Sequence, residues 1–324
     1  MKAKFIITRL GILSAVLSAI AGYPLFAQMS PAQQLRQASR MEKENRPVPA
    51  ISEINALLDS QSLDSPGAGK AWNILGLAYE DLGEFSLSQH AFEESIRILK
   101  SNPDVRNYAT ALNDFGGMYL AMGQSDIAEK MKLKALGLYE EVDDHGGIVR
   151  ASYDLAQVAF SCGKVPAGAK YLERAVKGTQ TASDLDDDDW AAIASLQGWL
   201  AQNNGNYAMS ITKYEQALDL WRKLHGEMHP DTGWGLVLLG AADDEGGESI
   251  AGLAEIKQGV TILGRTLGTK NLRYLLVQVT YARLLDAEGF HAEAAQIKAA
   301  TEPTLREIYR QQCAGCTVSA TARR

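Results

Sequence analysis

Trp72-Asn73-Ile74-Leu75-Gly76-Leu77-Ala78-Tyr79 sets an aromatic, a leucine, a glycine and a tyrosine at helical spacing, with Gly83 four residues beyond the tyrosine and Ser88 and Phe92 further on. The glycine recurs along the chain at Gly83, Gly123, Gly163, Gly205, Gly247 and Gly289, at intervals of 40, 40, 42, 42 and 42 residues. Seven positions before it stand Gly76, Gly116, Ala156, Gly198, Gly240 and Ala282; five positions after it stand Ser88, Ala128, Gly168, Ser210, Gly252 and Ala294. Small side chains at both slots let two helices approach closely, and the glycine suits the left-handed backbone that ends the first helix. Each period therefore reads as helix A, a glycine turn and helix B. In the second unit Ile127, Met131, Ala135 and Leu138 read as the stripe that helix B buries.

One such pair cannot bury its apolar stripe alone, so successive pairs must stack into an all-α solenoid. The residues from Trp72 to Phe92 match the signature of the tetratricopeptide repeat, and the chain resembles that family. The 40–42 residue period exceeds the usual 34 by about two helical turns per repeat. Ala109-Thr110-Ala111-Leu112-Asn113-Asp114-Phe115-Gly116 with Tyr119, and the linker Gly226-Glu227-Met228-His229-Pro230-Asp231-Thr232, resemble the long-repeat, kinesin-light-chain-like branch. The resemblance implies a right-handed superhelix of about six repeats over residues 69–311. It weakens in the last unit, which has Gln278 and Leu285 where Trp or Leu, and Tyr, are usual. Residues 28–68 read as an N-terminal helical cap, one helix or a degenerate pair, broken at Arg46-Pro47-Val48-Pro49, with 61–68 as a loop. Residues 312–324 read as a tail.

Lys2, Lys4 and Arg9 precede an apolar stretch from Leu10 to Ala21, and Ala27 precedes Gln28. That is the pattern of a secretory signal peptide over residues 1–27, placing the mature chain in a periplasm or outside the cell. The alternative is an uncleaved anchor tethering the protein within an envelope assembly, although the apolar stretch is shorter than a spanning helix of about 20 residues. The full chain of 324 residues has 32 basic and 39 acidic residues, a charge of −7; without residues 1–27 it has 29 against 39, or −10. An acidic surface repels phosphate and argues against nucleic acid as a partner. No membrane insertion is expected after signal cleavage.

The concave face of helix A is the family's usual ligand surface. Phase places Lys70, Asn73 and Leu77 on it in unit one, Thr110, Asn113 and Gly117 in unit two, and Arg150, Tyr153 and Gln157 in unit three. Later units contribute Trp199 and Trp234. Asn73 and Asn113 suit hydrogen bonds to an extended peptide, and Arg150 suits a carboxylate. A carboxylate clamp of the kind some relatives use is incomplete, with Leu77 where an Asn is needed and Tyr153 where a cation is. The competing reading is a groove of generic polarity. Trp199 and Trp234 either form an apolar patch in it or pack between helices.

Other motifs carry less chemistry. Cys313 and Cys316 can close a small disulfide loop; a thiol–disulfide redox role needs a thioredoxin-like context that a helical solenoid lacks. Cys162, at the end of a helix A, reads as a small buried apolar residue. His225 and His229 stand four apart, but Gly226 and Pro230 end the helix there and no third ligand is evident, so no metal and no cofactor are expected. The run Asp184–Asp189 lacks the pattern of a calcium loop and fits the start of the helix containing Trp190. No P-loop, strand-borne GxGxxG, GxSxG or HExxH motif occurs. The reading is a non-enzymatic scaffold or adaptor that binds a peptide or protein segment on its concave face.

Overall fold

Gly83 takes φ +74°, and the amide of Glu84 behind it reaches the carbonyl of Tyr79 at 2.9 Å. This closes helix A of unit one and turns the chain into helix B. The five equivalent glycines also have positive φ. A computed structural model describes residues 29–101 and 104–312, and among them the chain is fourteen α-helices with no strand. Residues 1–27, whose pattern reads as a signal peptide, and the Cys313–Cys316 segment lie outside the described residues.

Six pairs follow the six glycines. They are α3 (Ser65–Asp81) and α4 (Phe85–Leu99), α5 (Val105–Ala121) and α6 (Ser125–Glu141), and α7 (His145–Ser161) and α8 (Val165–Gly178). Then come α9 (Asp187–Asn203) and α10 (Tyr207–His225), α11 (Pro230–Gly246) and α12 (Ser249–Thr266), and α13 (Leu272–Ala287) and α14 (His291–Gln312). The small slots hold the pairs together. A Cβ on Gly76 would lie 2.7 Å from the Phe92 ring, and one on Gly240 would lie 2.5 Å from the carbonyl oxygen of Gly252. Ser88, Ala128, Ser210 and Ala294 are fully buried.

The N-terminal cap is a pair as well, α1 (Pro31–Lys43) and α2 (Pro47–Asp59). Asn45, at φ +54°, occupies the place of the turn glycine, and Arg46 N bonds Met41 O at 2.8 Å. Ala38 and Ala50, seven before and five after it, are fully buried, so this pair repeats the phase of the other six. Pro47 starts α2, where its missing N–H is no loss, and the chain break lies ahead of it. Residues 61–68 are only partly loop: Asp64 accepts from Gly67 N at 2.8 Å and caps α3, which begins at Ser65.

Two readings of buried residues need correction. On α6 the buried stripe is Ala128, Lys132, Ala135, Leu136 and Tyr139, while Ile127 is 38% exposed. The inward slots fall five, nine, twelve and sixteen residues after the turn glycine, as at Ser88, Phe92, Ser95 and Leu99 of α4. A lysine in the slot that Phe92 fills shifts the apparent stripe by one position. Cys162 is exposed, because it is the C-cap of α7, just ahead of Gly163, where the helix end faces solvent.

Successive helices A touch in series, α1–α3–α5–α7–α9–α11, and so line the inner curve of the stack. The curve closes far enough to bring the first units against the later ones. Asn45 Nδ2 donates to Thr266 O at 3.3 Å, Asn271 Nδ2 to Asp81 O at 3.5 Å, and Lys43 lies 3.6 Å from Asp186. Among the described residues no helix is long and apolar enough to cross a membrane.

Candidate concave-face site

The inner curve carries a polar ladder with the period of the repeat. Asn73 on α3 donates through Nδ2 to Asp114 on α5 at 2.7 Å, and Asn113 on α5 donates to Asp154 on α7 at 2.6 Å. Asn and Asp occupy adjacent positions in the repeat, ten and nine residues before the turn glycine. The 41-residue step between units therefore sets each amide against the next carboxylate. Lys132 reaches into the ladder from helix B of unit two, giving Nζ to Asp154 at 3.0 Å and to the Asn113 carbonyl at 3.0 Å. It is 3% exposed, and both contacts satisfy a charge that would otherwise be buried alone.

The ladder continues onto α9. Arg150 donates from Nε and Nη2 to the Asp189 carboxylate at 2.9–3.1 Å and from Nη2 to Asp184 O at 2.7 Å. Tyr153 Oη bonds Asp189 at 3.0 Å. The acidic run thus has two roles. Asp187, Asp188 and Asp189 occupy the first turn of α9, as its position before Trp190 implies, while Asp184 and Asp189 also hold Arg150. The guanidinium and phenol of unit three are engaged within the chain in this structure.

The remaining concave positions diverge. Lys70, Asn73 and Thr110 come together on the wall of a cavity of about 720 Å³ between α1, α3 and α5, which Arg36 and Ser39 also line. Gln157 is exposed on α7. Trp199 stacks on Phe160 with ring centroids 4.4 Å apart, packing α9 against α7, and Trp234 lies beneath the Arg273 guanidinium at 5.5 Å. Both tryptophans therefore pack against neighbouring helices.

What sequence reasoning missed is the acidity of the inner curve. Burial pushes Glu42 and Glu80 up to about 8, helped by the charges of Asp81 and Asp114. Burial raises Asp81 to about 7 against the pull of Arg273, and Asp114 to about 6 against the Asn73 hydrogen bond and Lys132. Three units thus converge on one stretch of the groove: Glu42 from α1, Glu80 and Asp81 from α3, and Asp114 from α5. The Oδ1 atoms of Asn73 and Asn113 are buried beside it without a hydrogen-bond partner. This wall accepts many more hydrogen bonds than it donates. Asp114 stands in the helix A quoted for the branch resemblance; its neighbours Glu42 and Asp81 are distant in sequence, and no local pattern joins them. The histidine pair also gains neighbours that the sequence did not show, because Asp231 and Asp188 both lie beside it.

Comparison with known proteins agrees with this architecture. Tetratricopeptide-repeat family models match residues 67–141 and 190–231. A clustered mitochondria protein homolog of Aspergillus terreus is 20% identical over 157 residues, 48% of this chain and 12% of that protein. The chain thus spans about an eighth of that relative's length. Among solved structures, a Rap protein complexed with Competence and Sporulation Factor superposes with TM-score 0.64 at 12% identity, covering 93% of each chain. NprR in complex with its cognate peptide NprX gives TM-score 0.62 at 12% identity, over 96% of this chain and 91% of that one. With six glycine-hinged pairs in phase, an Asn45-hinged pair at the N-terminus and repeat matches in both halves, the chain is built of tetratricopeptide repeats.

Proposed function

We propose that this protein is an exported, non-enzymatic adaptor whose concave groove takes a peptide or protein segment carrying a basic side chain. The observation that carries the reading is the acceptor-rich wall. Glu42, Glu80, Asp81 and Asp114 crowd together, and the side-chain Oδ1 atoms of Asn73 and Asn113 beside them lack donors. A guanidinium or ammonium supplies both the missing hydrogens and the missing charge. Entering the groove, it would draw the raised carboxyls back toward their ionised form. The cavity bounded by Lys70, Asn73 and Thr110 leaves room for neighbouring residues of the segment. NprR, which shares the fold, was solved with its cognate peptide bound, and this supports a peptide as the occupant. Export rests on the basic and apolar pattern of residues 1–27.

The test is a fluorescence-anisotropy screen of a positional peptide library in which one slot is Arg, Lys, Gln or Glu. Arg or Lys peptides should bind best, with affinity falling as salt rises. Glu80→Gln/Asp114→Asn should weaken them at least tenfold while the helical signal is retained. Equal binding of Gln and Arg peptides, or equal binding by the double variant, would refute the reading. N-terminal sequencing of the protein from its native host should begin at Gln28; a chain that keeps Met1 refutes cleavage.

A further inference from the structure

Where α10 ends, Gly226 takes φ +84° and folds the chain back, so that the His229 ring stacks on that of His225 with centroids 4.0 Å apart. The break that argues against a helical histidine pair in sequence is what brings the two rings together. Asp231, in the first turn of α11, places Oδ2 3.5 Å from His229 Nδ1 and 3.9 Å from His225 Nε2. Asp188, in the first turn of α9, places Oδ1 2.8 Å from His225 Nε2. Ligand atoms of His225, His229 and Asp231 all lie within 4.8 Å of one another, and both imidazole side chains are 9% exposed.

We propose that His225, His229 and Asp231, with Asp188 as fourth ligand, form a binding site for one divalent transition-metal ion of the zinc type. Two imidazoles and two carboxylates suit Zn²⁺ among the common dications. With bonds near 2.0–2.1 Å, tetrahedral coordination needs donor atoms about 3.3 Å apart, and the observed separations of 2.8, 3.5 and 3.9 Å bracket that value. The outer contacts fit as well. His229 Nε2 lies 3.3 Å from the Lys43 carbonyl, which places the proton on Nε2 and leaves the Nδ1 lone pair on the side of Asp231. That lone pair meets only the long 3.3 Å bond from Asp231 N. An ion held by both rings turns them out of their near-parallel stack, a rotation of the side chains alone. Because Lys43 belongs to the N-terminal pair, the ion would tie that pair to the junction of the fourth and fifth repeats and hold the superhelix closed.

The test is calorimetric titration of the full chain with ZnCl₂, paired with the visible absorption of Co²⁺, in a Cys162→Ser/Cys313→Ser/Cys316→Ser background that removes thiolate ligands. One equivalent should bind, with the intense spectrum of tetrahedral Co²⁺, and the thermal midpoint should rise with Zn²⁺ concentration. His225→Gln, which keeps a hydrogen-bonding side chain opposite Asp188, and Asp231→Asn should each weaken binding at least tenfold, with circular dichroism confirming the fold. Absence of saturable binding to the parent, or affinity and spectrum unchanged in both folded variants, overturns the proposal.

Discussion

Replacing Lys132 with Met tests the buried charge that interrupts the apolar stripe of α6. The substitution keeps an unbranched chain over Gly116, where a Cβ would come within 2.9 Å of Lys132 Cγ, and deletes only the ammonium. Asp154 then keeps the Asn113 amide at 2.6 Å but loses its cation. Removing one partner of a buried pair costs about 3–5 kcal/mol, and the 18% exposure of the Asp154 side chain sets the expected loss at the lower end, about 3 kcal/mol. Asp154→Asn leaves the ammonium with the Asn113 carbonyl alone and should also cost about 3 kcal/mol. The double variant holds no uncompensated charge and should lose no more than either single variant, a coupling of at least about 3 kcal/mol. Urea denaturation of the four proteins, followed by helical circular dichroism at constant m-value, measures all three losses. Losses that add to within about 0.5 kcal/mol would show that the two groups do not act as a pair.

Gly240→Ala should lower the urea midpoint by an amount equivalent to about 1–3 kcal/mol, because the new methyl meets the Gly252 backbone carbonyl, which no rotamer change can move; an unchanged midpoint refutes that packing. Asn45→Val forces a β-branched residue into the left-handed region at φ +54° and should cost about 1–2 kcal/mol, whereas Asn45→Gly should lose only the Thr266 contact; equal losses by denaturation would contradict the turn assignment. Glu42 and Glu80 titrate near 8 in the folded chain against an ordinary 4.5, so the folded state binds more protons between those values. Stability should therefore fall as pH rises from about 4.5 through 8, and Glu80→Gln should flatten the slope; a urea midpoint that climbs over that range refutes it. The Cys162 thiol, exposed at its helix end, should react promptly with a thiol reagent in a Cys313→Ser/Cys316→Ser chain, and protection from the reagent would contradict the exposure.

The architecture was legible because its requirements are local. A left-handed turn needs glycine, and two helices in close contact need small residues at fixed distances from it. These demands repeat in the sequence every 40–42 residues whatever the rest of the chain does. Even the N-terminal pair could have been read this way, since Asn45 is the non-glycine residue type that best tolerates the left-handed region, and Ala38 and Ala50 keep the phase. The concave positions followed from the same phase, which is why Lys70, Asn73 and Thr110 do meet on one cavity wall.

What phase could not show is what each of those side chains faces. Asn73 meets Asp114, Asn113 meets Asp154, and Arg150 meets Asp189, all across 39–41 residues of sequence and from one helix A to the next. Lys132 sits in an inward slot because a carboxylate from the next unit waits there. Repeat phase is a property of single helices and their turns, and it is written in the order of residues. The acid-lined groove, the contact of α1 with the later repeats and the His225–His229–Asp231 cluster depend on how far the stack curves. That curvature is the sum of small rotations at every interface between units, so it exists only once all the pairs are packed.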